Sequence, residues 1–352
     1  MSKNFKSISL FLVSAIVLLW GCKKDPVTPE NKFIRGCFIL NEGPFQTGTG
    51  TITFRNSDTD EVLQDIYGAA NGNAALGNIV QSMLVAGDKA FVVVNNANKI
   101  VVVEDSTFKK VTEITGFELP RYILKISDDE ALVTEWGASG GNGSLKLLDL
   151  NTYQVKKTIT AGKGPERMVM VGDSVFIANS GGLGRDSTVM IYKLSTQEII
   201  STIVVGDNPV SVQADDSGDV WTLCRGYTDW NNPANSTPGR LSVVRNQGVI
   251  YQLEVPNGAT NLVYDNSRDA LYFTDGTTIY RRYEYELAAE PLFAFITGGS
   301  YYALGVESGT GRIFTSDPKD YSSKGDVNIY SNQGVLEETF QAGVIPGCFY
   351  FR

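Results

Sequence analysis

Histidine is absent from all 352 residues. Its absence removes Ser-His-Asp and Cys-His nucleophile systems, and with them the usual transition-metal ligand. Cysteine is scarce, at four residues, and proline stands at twelve. No window sustains the 3.6-residue apolar period of a long helix. Beyond the N-terminus no apolar run is long enough to cross a bilayer as a helix. No Walker loop occurs. The glycine-rich GASGGNGS at 137–144 falls between two predicted strands and opens no helix, which argues against phosphate cradling. EF-hand spacing is missing as well.

What is present is glycine, at 36 residues, with 16 Tyr, 17 Phe and many Val, Ile and Thr. Apolar residues come in runs of four to six, broken by Gly, Asn, Asp or Ser, which is the pattern of short strands and turns. At the N-terminus Lys3 and Lys6 precede an apolar stretch from Ile8 to Trp20, the layout of a secretory signal. It ends in Leu19-Trp20-Gly21-Cys22, which resembles a bacterial lipobox. Residues 1–21 are therefore expected to be a lipoprotein signal peptide, Cys22 to carry the lipid, and 22–32 to form a flexible tether. The Lys-Lys-Asp after Cys22 is similar to surface-export signals of Bacteroidetes lipoproteins. An outer-membrane, lipid-anchored, cell-surface location follows as the expectation, with a periplasm-facing anchor as the alternative. Without residues 1–21 the chain has 28 basic against 39 acidic residues, a net of −11. That charge repels phosphate backbones and disfavours nucleic acid as a partner.

One unit repeats. In MVMVGDSVFIANSGGLGRDSTVMIYKLSTQEIISTIVVG, at 168–206, four strands alternate with a Gly-Asp turn, a long glycine-rich loop and a short polar turn. The segment FIANSG (176–181) has equivalents at FILNEG (38–43), FVVVNN (91–96), LVTEWG (132–137), WTLCRG (221–226), LYFTDG (271–276) and IFTSDP (313–318). Their starts step by 41 to 53 residues, close to the period of a four-stranded propeller blade. Seven such second strands have only six first strands before them, because the first unit begins at its second strand. The chain ends in PGCFYFR, in the place a first strand would take. The prediction is all-β: a seven-bladed β-propeller of four antiparallel strands per blade over residues 33–352, closed by the C-terminal strand joining the N-terminal blade.

Closure would place Cys37 and Cys348 on adjacent antiparallel strands. A disulfide between them is expected, the alternative being two buried thiols that strand register keeps apart. Cys224 is expected to pack as a small apolar residue.

In such a blade the loops after second strands share a face with the links between blades. Here those segments are long and variable, while the opposite turns are short, and long loops on a rigid scaffold are where binding resides. They carry Phe45, Arg121, Tyr122, Trp136, Arg185, Arg225, Tyr227, Trp230, Tyr301, Tyr302 and Tyr321, residue types enriched in binding hot spots. These are the candidate ligand-binding residues. Glu42, Glu135, Asp275 and Asp317 recur at the same rim. A calcium site or carboxylate pair there is weighed against carboxylates that simply open solvated loops, and the second reading is preferred. No metal site, no catalytic residue and no cofactor is predicted.

IVQSMLVAGDKAFVVVNNANKIVVV and GPERMVMVGDSVFIANSG…STVMIYKL resemble the YVTN-type repeats of YncE-like propellers. With the lipobox and the start FILNEGPFQTGTGTITF, the chain is similar to Bacteroidetes surface lipoproteins of the BtuG class. That resemblance implies a protein that captures cobalamin or a related corrinoid and hands it to a TonB-dependent outer-membrane transporter, not an enzyme. An adhesion or scaffold propeller gripping a protein or glycan is the competing expectation. A propeller enzyme of the lactonase or dehydrogenase type is weakened by the missing histidines.

Overall fold

The computed structural model describes residues 32–352 except 139–140, 284–285, 287 and 295–298. The expected signal peptide, the lipidated Cys22 and all but the last residue of the tether lie outside the described residues.

Seven four-stranded antiparallel sheets follow one another around a ring. Blade 1 takes its innermost strand from the far end of the chain, Pro346–Phe351, and then runs outward through Gly36–Asn41, Thr51–Asn56 and Val62–Leu63. Blades 2 to 6 begin with the inner strands Val80–Ala86, Pro120–Lys125, Pro165–Val171, Pro209–Ala214 and Thr260–Asp265, and blade 7 with the short Leu304–Val306. Each repeated segment recognised in the sequence is the second strand of its blade. All-β with seven blades is what the sequence predicts and what the structure shows. The described helices are one five-residue α-helix, Ile66–Ala70, in the link after blade 1, and a single 3-10 turn, Pro233–Asn235.

Burial explains the order of strands. Second strands such as Lys89–Val94 and Ser174–Asn179 are buried along almost their whole length, because both faces meet neighbouring blades. Outer strands such as Glu198–Val204 alternate between exposed and covered residues, as a sheet edge facing water on one side must. Apolar side chains between blades form separate clusters, for example Phe38, Phe54, Phe108 and Val92 between blades 1 and 2, so the core is a ring of wedges around a central channel.

The seam is held by several kinds of bond. Gly36 and Arg352 exchange backbone hydrogen bonds at 3.2 and 2.9 Å. The Asn41 amide group reaches both sides, accepting from the Gly343 N–H at 3.0 Å and donating to Thr51 Oγ1 at 3.1 Å. Arg352 pairs with Asp105 of blade 2.

The expected disulfide is not formed: Cys37 and Cys348 are free thiols. The strands pair as anticipated, but Cys37 lies opposite Phe351 and Cys348 opposite Leu40. An offset of three residues spans about 10 Å along a strand. Being odd, it also turns the two side chains to opposite faces of the sheet. Cys37 packs with Ile39 and Phe314, and Cys348 against the cluster of Phe38 and Leu40. Cys224 is fully buried among apolar neighbours, as expected.

Candidate functional site

At the face where the long loops gather, a bowl of about 540 Å³ opens over the central channel. Two recurring backbone features build its wall. The first is a clamp at the start of five inner strands. Ile79, Leu119, Gly164, Asn208 and Ile345, each just before such a strand, sit at φ between 52° and 61°. For a β-branched residue such as Ile79 or Ile345 this is costly. The carbonyl of each accepts a hydrogen bond, at 2.8–3.1 Å, from the first N–H beyond its blade's second strand: Asn95, Trp136, Ser180, Arg225 and Glu42. Four of those five donors, Glu42, Trp136, Ser180 and Arg225, turn their side chains to the bowl. A glycine follows each of them, Gly43, Gly137, Gly181 and Gly226, at φ between 76° and 90°, a conformation open to glycine at little cost. That requirement explains the glycine ending so many of the repeated segments.

The second feature is a bulge. In blades 1 to 6 the inner strand carries one extra residue near its start relative to its partner. Bulges re-aim side chains, and here they present a ring around the channel mouth: Gly347, Gln81, Arg121, Glu166, Val210 and Asn261, in blade order.

The charges in the bowl are unevenly committed. Arg121 pairs with Glu166 at 3.1 Å and donates to Gln81 Oε1 at 2.5 Å. Its guanidinium also lies 4.4 Å from the centre of the Trp136 ring, a cation–π arrangement. Glu42 accepts from the Tyr302 hydroxyl at 3.0 Å. Burial pushes its carboxyl above the usual range, while that hydrogen bond and the nearby Arg121 pull it part of the way back. Asp275 is held by the Thr277 and Thr278 amides, at 2.9 and 2.8 Å, and by the Tyr280 hydroxyl at 3.0 Å. Arg167, the residue after the bulge in blade 4, lies over the Tyr122 ring at 4.6 Å. It also borders two smaller cavities within the channel, of about 170 and 150 Å³.

Of the residues singled out in the sequence, Arg121, Tyr122, Trp136, Arg225, Tyr301, Tyr302 and Tyr321 line this bowl. Phe45, Arg185, Tyr227 and Trp230 do not. Arg185 makes a two-pronged bond to Asp207, at 3.0 and 2.5 Å, and covers Tyr227 at 4.3 Å, so that pair braces a loop. Phe45 and Trp230 are exposed, Trp230 to 89 %. Tyr301 is buried against Phe293. Among the carboxylates, Glu135 is tied to Ser144 at 2.5 Å and Lys146 at 3.2 Å, and Asp317 caps the Lys319 N–H at 2.9 Å. No group of metal-ligating side chains occurs among the described residues. Sequence reasoning missed Gln81, Glu166, Arg167 and Asn261, all on inner strands and outside the loops searched. A signal existed. Pro120, Pro165, Pro209 and Pro346 each open an inner strand, and the ring residue is the next one along.

The sequence matches, over residues 35–332, the family described as "Domain of unknown function (DUF5074)". This chain belongs to that family. No curated protein matches it. Solved structures similar to this DUF5074 chain include a quinonprotein alcohol dehydrogenase-like protein from Bacteroides thetaiotaomicron, at TM-score 0.67 and 14 % identity, covering 91 % of this chain and 78 % of that one. The periplasmic gluconolactonase of Pseudomonas aeruginosa matches at TM-score 0.67 and 12 % identity, covering 90 % and 98 %. A functionally unknown protein from Desulfotomaculum acetoxidans matches at TM-score 0.66, 12 % identity and the same coverage. At such identities the likeness carries the propeller fold of this DUF5074 chain, not an activity.

Proposed function

We propose that this propeller is a cell-surface, lipid-anchored binding protein that captures a small nutrient in its bowl and passes it to a TonB-dependent transporter. A corrinoid such as cobalamin is the ligand put forward. One observation carries the reading: an open bowl on the loop face, walled by Arg121, Tyr122, Trp136, Tyr302 and Tyr321 with Gln81 and Asn261 between them. A broad, amide-rimmed ligand suits such a wall, because aromatic faces supply contact area and amides supply adaptable hydrogen bonds. The resemblance to BtuG-class lipoproteins supports the ligand and the handover, and the lipobox at Cys22 supports the anchor.

The test is direct. Protein beginning after Cys22 is mixed with cyanocobalamin at micromolar concentration and run on gel filtration while visible absorbance is followed. Co-elution is expected, and its absence sinks the corrinoid reading. The same experiment with haem and an oligosaccharide panel asks whether another ligand takes the place. A second reading, adhesion or scaffolding, draws on Phe45 and Trp230, exposed to 61 % and 89 % in loops outside the bowl. Loss of cell-surface partner binding on Trp230→Ala, with cyanocobalamin binding unchanged, would favour it. Hydrolysis of a lactone by the purified protein would instead make it an enzyme.

A further inference from the structure

Thirteen arginines lie between residues 32 and 352. Nine of them reach a carboxylate within 4.0 Å. Arg167 and Arg225 reach none among the described residues, and both line the bowl. Arg281 and Arg282 are the other two. They lie on the third strand of blade 6, away from the bowl.

In a chain with 39 acidic residues, two guanidiniums that face one cavity and make no ion pair of their own stand out, in a bowl where Arg121, Arg167 and Arg225 meet Glu42, Glu166 and Asp275. The carboxylates close by are already engaged, Glu166 by Arg121, Asp275 by two backbone amides and a hydroxyl, and Glu42 by Tyr302. Arg167 is also oriented. Its guanidinium is laid on the Tyr122 ring at 4.6 Å, and the same position borders the bowl above and the channel cavities below. A guanidinium fixed in one plane presents parallel N–H donors that match two oxygens of an oxyanion.

We infer that the bowl holds its ligand through an oxyanion, a phosphate ester or a carboxylate, seated on Arg167 with Arg225 as the second cation. The inference deepens the capture reading above and rests on it, but it does not depend on the ligand being a corrinoid. Seating is by charge-assisted hydrogen bonds alone, with no covalent step. The uncharged remainder of the ligand would face Asn261, Tyr302 and Tyr321 across the bowl.

Two experiments separate this inference from the corrinoid reading. In the first, inorganic phosphate and citrate are titrated in separate arms into the protein beginning after Cys22, followed by tryptophan fluorescence, since Trp136 stands in the bowl wall. Saturable binding of at least one anion is expected, and the better arm identifies phosphate or carboxylate as the preferred group. Arg167→Gln should weaken it at least about tenfold, the scale of a lost charge-assisted hydrogen bond, and Arg225→Gln less. Arg167→Lys, which keeps the charge but not the fork, should fall between. Circular dichroism and thermal unfolding confirm that each variant is folded. In the second, cyanocobalamin binding is measured on the same set. Anion binding that depends on Arg167 upholds the inference even where cyanocobalamin fails to bind. No saturable binding of either anion, or equal binding by the wild type and Arg167→Gln, overturns it. So does cyanocobalamin binding that neither Arg167→Gln nor excess phosphate changes, although the corrinoid reading would then survive.

Discussion

The ring at the mouth of the channel is built from one backbone motif, yet its two halves differ. In blades 2 to 4 the bulge presents Gln81, Arg121 and Glu166, of which Arg121 bonds to both others and lies over the Trp136 ring. In blades 5, 6 and 1 the same position presents Val210, Asn261 and Gly347, which fill little space and bear no charge. The backbone is the constant, and the side chain differs from blade to blade. One half is a filled, self-satisfied wall. The other is open space backed by Glu42, Tyr302 and Tyr321. The difference teaches that pocket shape here is decided at a handful of positions where one backbone motif accepts very different side chains.

Removing the cation of the filled half should have the largest consequence. Arg121→Ala leaves Glu166, which is 7 % exposed at its side chain, without its cation. A broken buried pair costs about 3 kcal/mol, so urea unfolding should show a loss of that order. A loss below about 1 kcal/mol would mean that the wall is not a unit. Filling the open half is the converse. A side chain at Gly347 would meet Glu42, whose Oε1 lies 2.5 Å from the position of an added Cβ. Gly347→Leu should therefore cost about 1 kcal/mol, as a typical replacement does, while cyanocobalamin or anion binding falls sharply. Unchanged binding would place the ligand elsewhere. Val210→Asn, which copies blade 6 into blade 5, should change stability by less than about 0.5 kcal/mol. Thermal unfolding checks it, and a larger loss would deny that the position is free to vary.

The smallest effect concerns pH. Burial raises the Glu42 carboxyl above its ordinary value. An acid raised on folding is protonated more readily in the native state, so its ionisation weakens the fold as pH climbs through the raised value. Glu42→Gln keeps the acceptor for Tyr302 and removes the charge. The variant should match wild type well below the ordinary carboxylate range and gain on it toward neutral pH. Melting curves at pH 3.5 and pH 7 test this, and a variant less stable at pH 7 would show that the ionised form is the one the site favours.

Much of the ring could be read from the chain because its period is written in strands and turns: apolar runs, Gly-Asp reversals and a glycine after each second strand. Even the closing strand was visible, since one blade lacked a member and one member lacked a blade. The site was legible where chemistry and loop position coincided, as at Trp136, Arg225 and Tyr302. It was not legible at Gln81, Glu166 and Arg167, because in sequence these are ordinary strand residues. Only the bulge aims them into the channel, and a bulge is a property of pairing. The cysteine pairing failed for the same reason. Adjacent strands were foreseeable, but the three-residue offset that separates Cys37 from Cys348 depends on register, which one irregularity between Leu40 and Asn41 shifts. Trp230 and Phe45 share both loop position and residue type with the residues that line the bowl, and neither property says whether a loop folds over the bowl or away from it.

The seam between Gly36–Asn41 and Pro346–Phe351 also fixes an order of events. A ribosome makes the second strand of blade 1 more than 300 residues before its inner neighbour. Until that neighbour and the segment before it emerge, Gly36–Asn41 has an unpaired edge and the ring stays open, with Asn41 and Val85 lacking the bonds to Gly343 and Tyr350. Pairing across so long a loop is slow and comes late. The strand Pro346–Phe351 thus acts as a timer, deferring the completed bowl until it has itself been made.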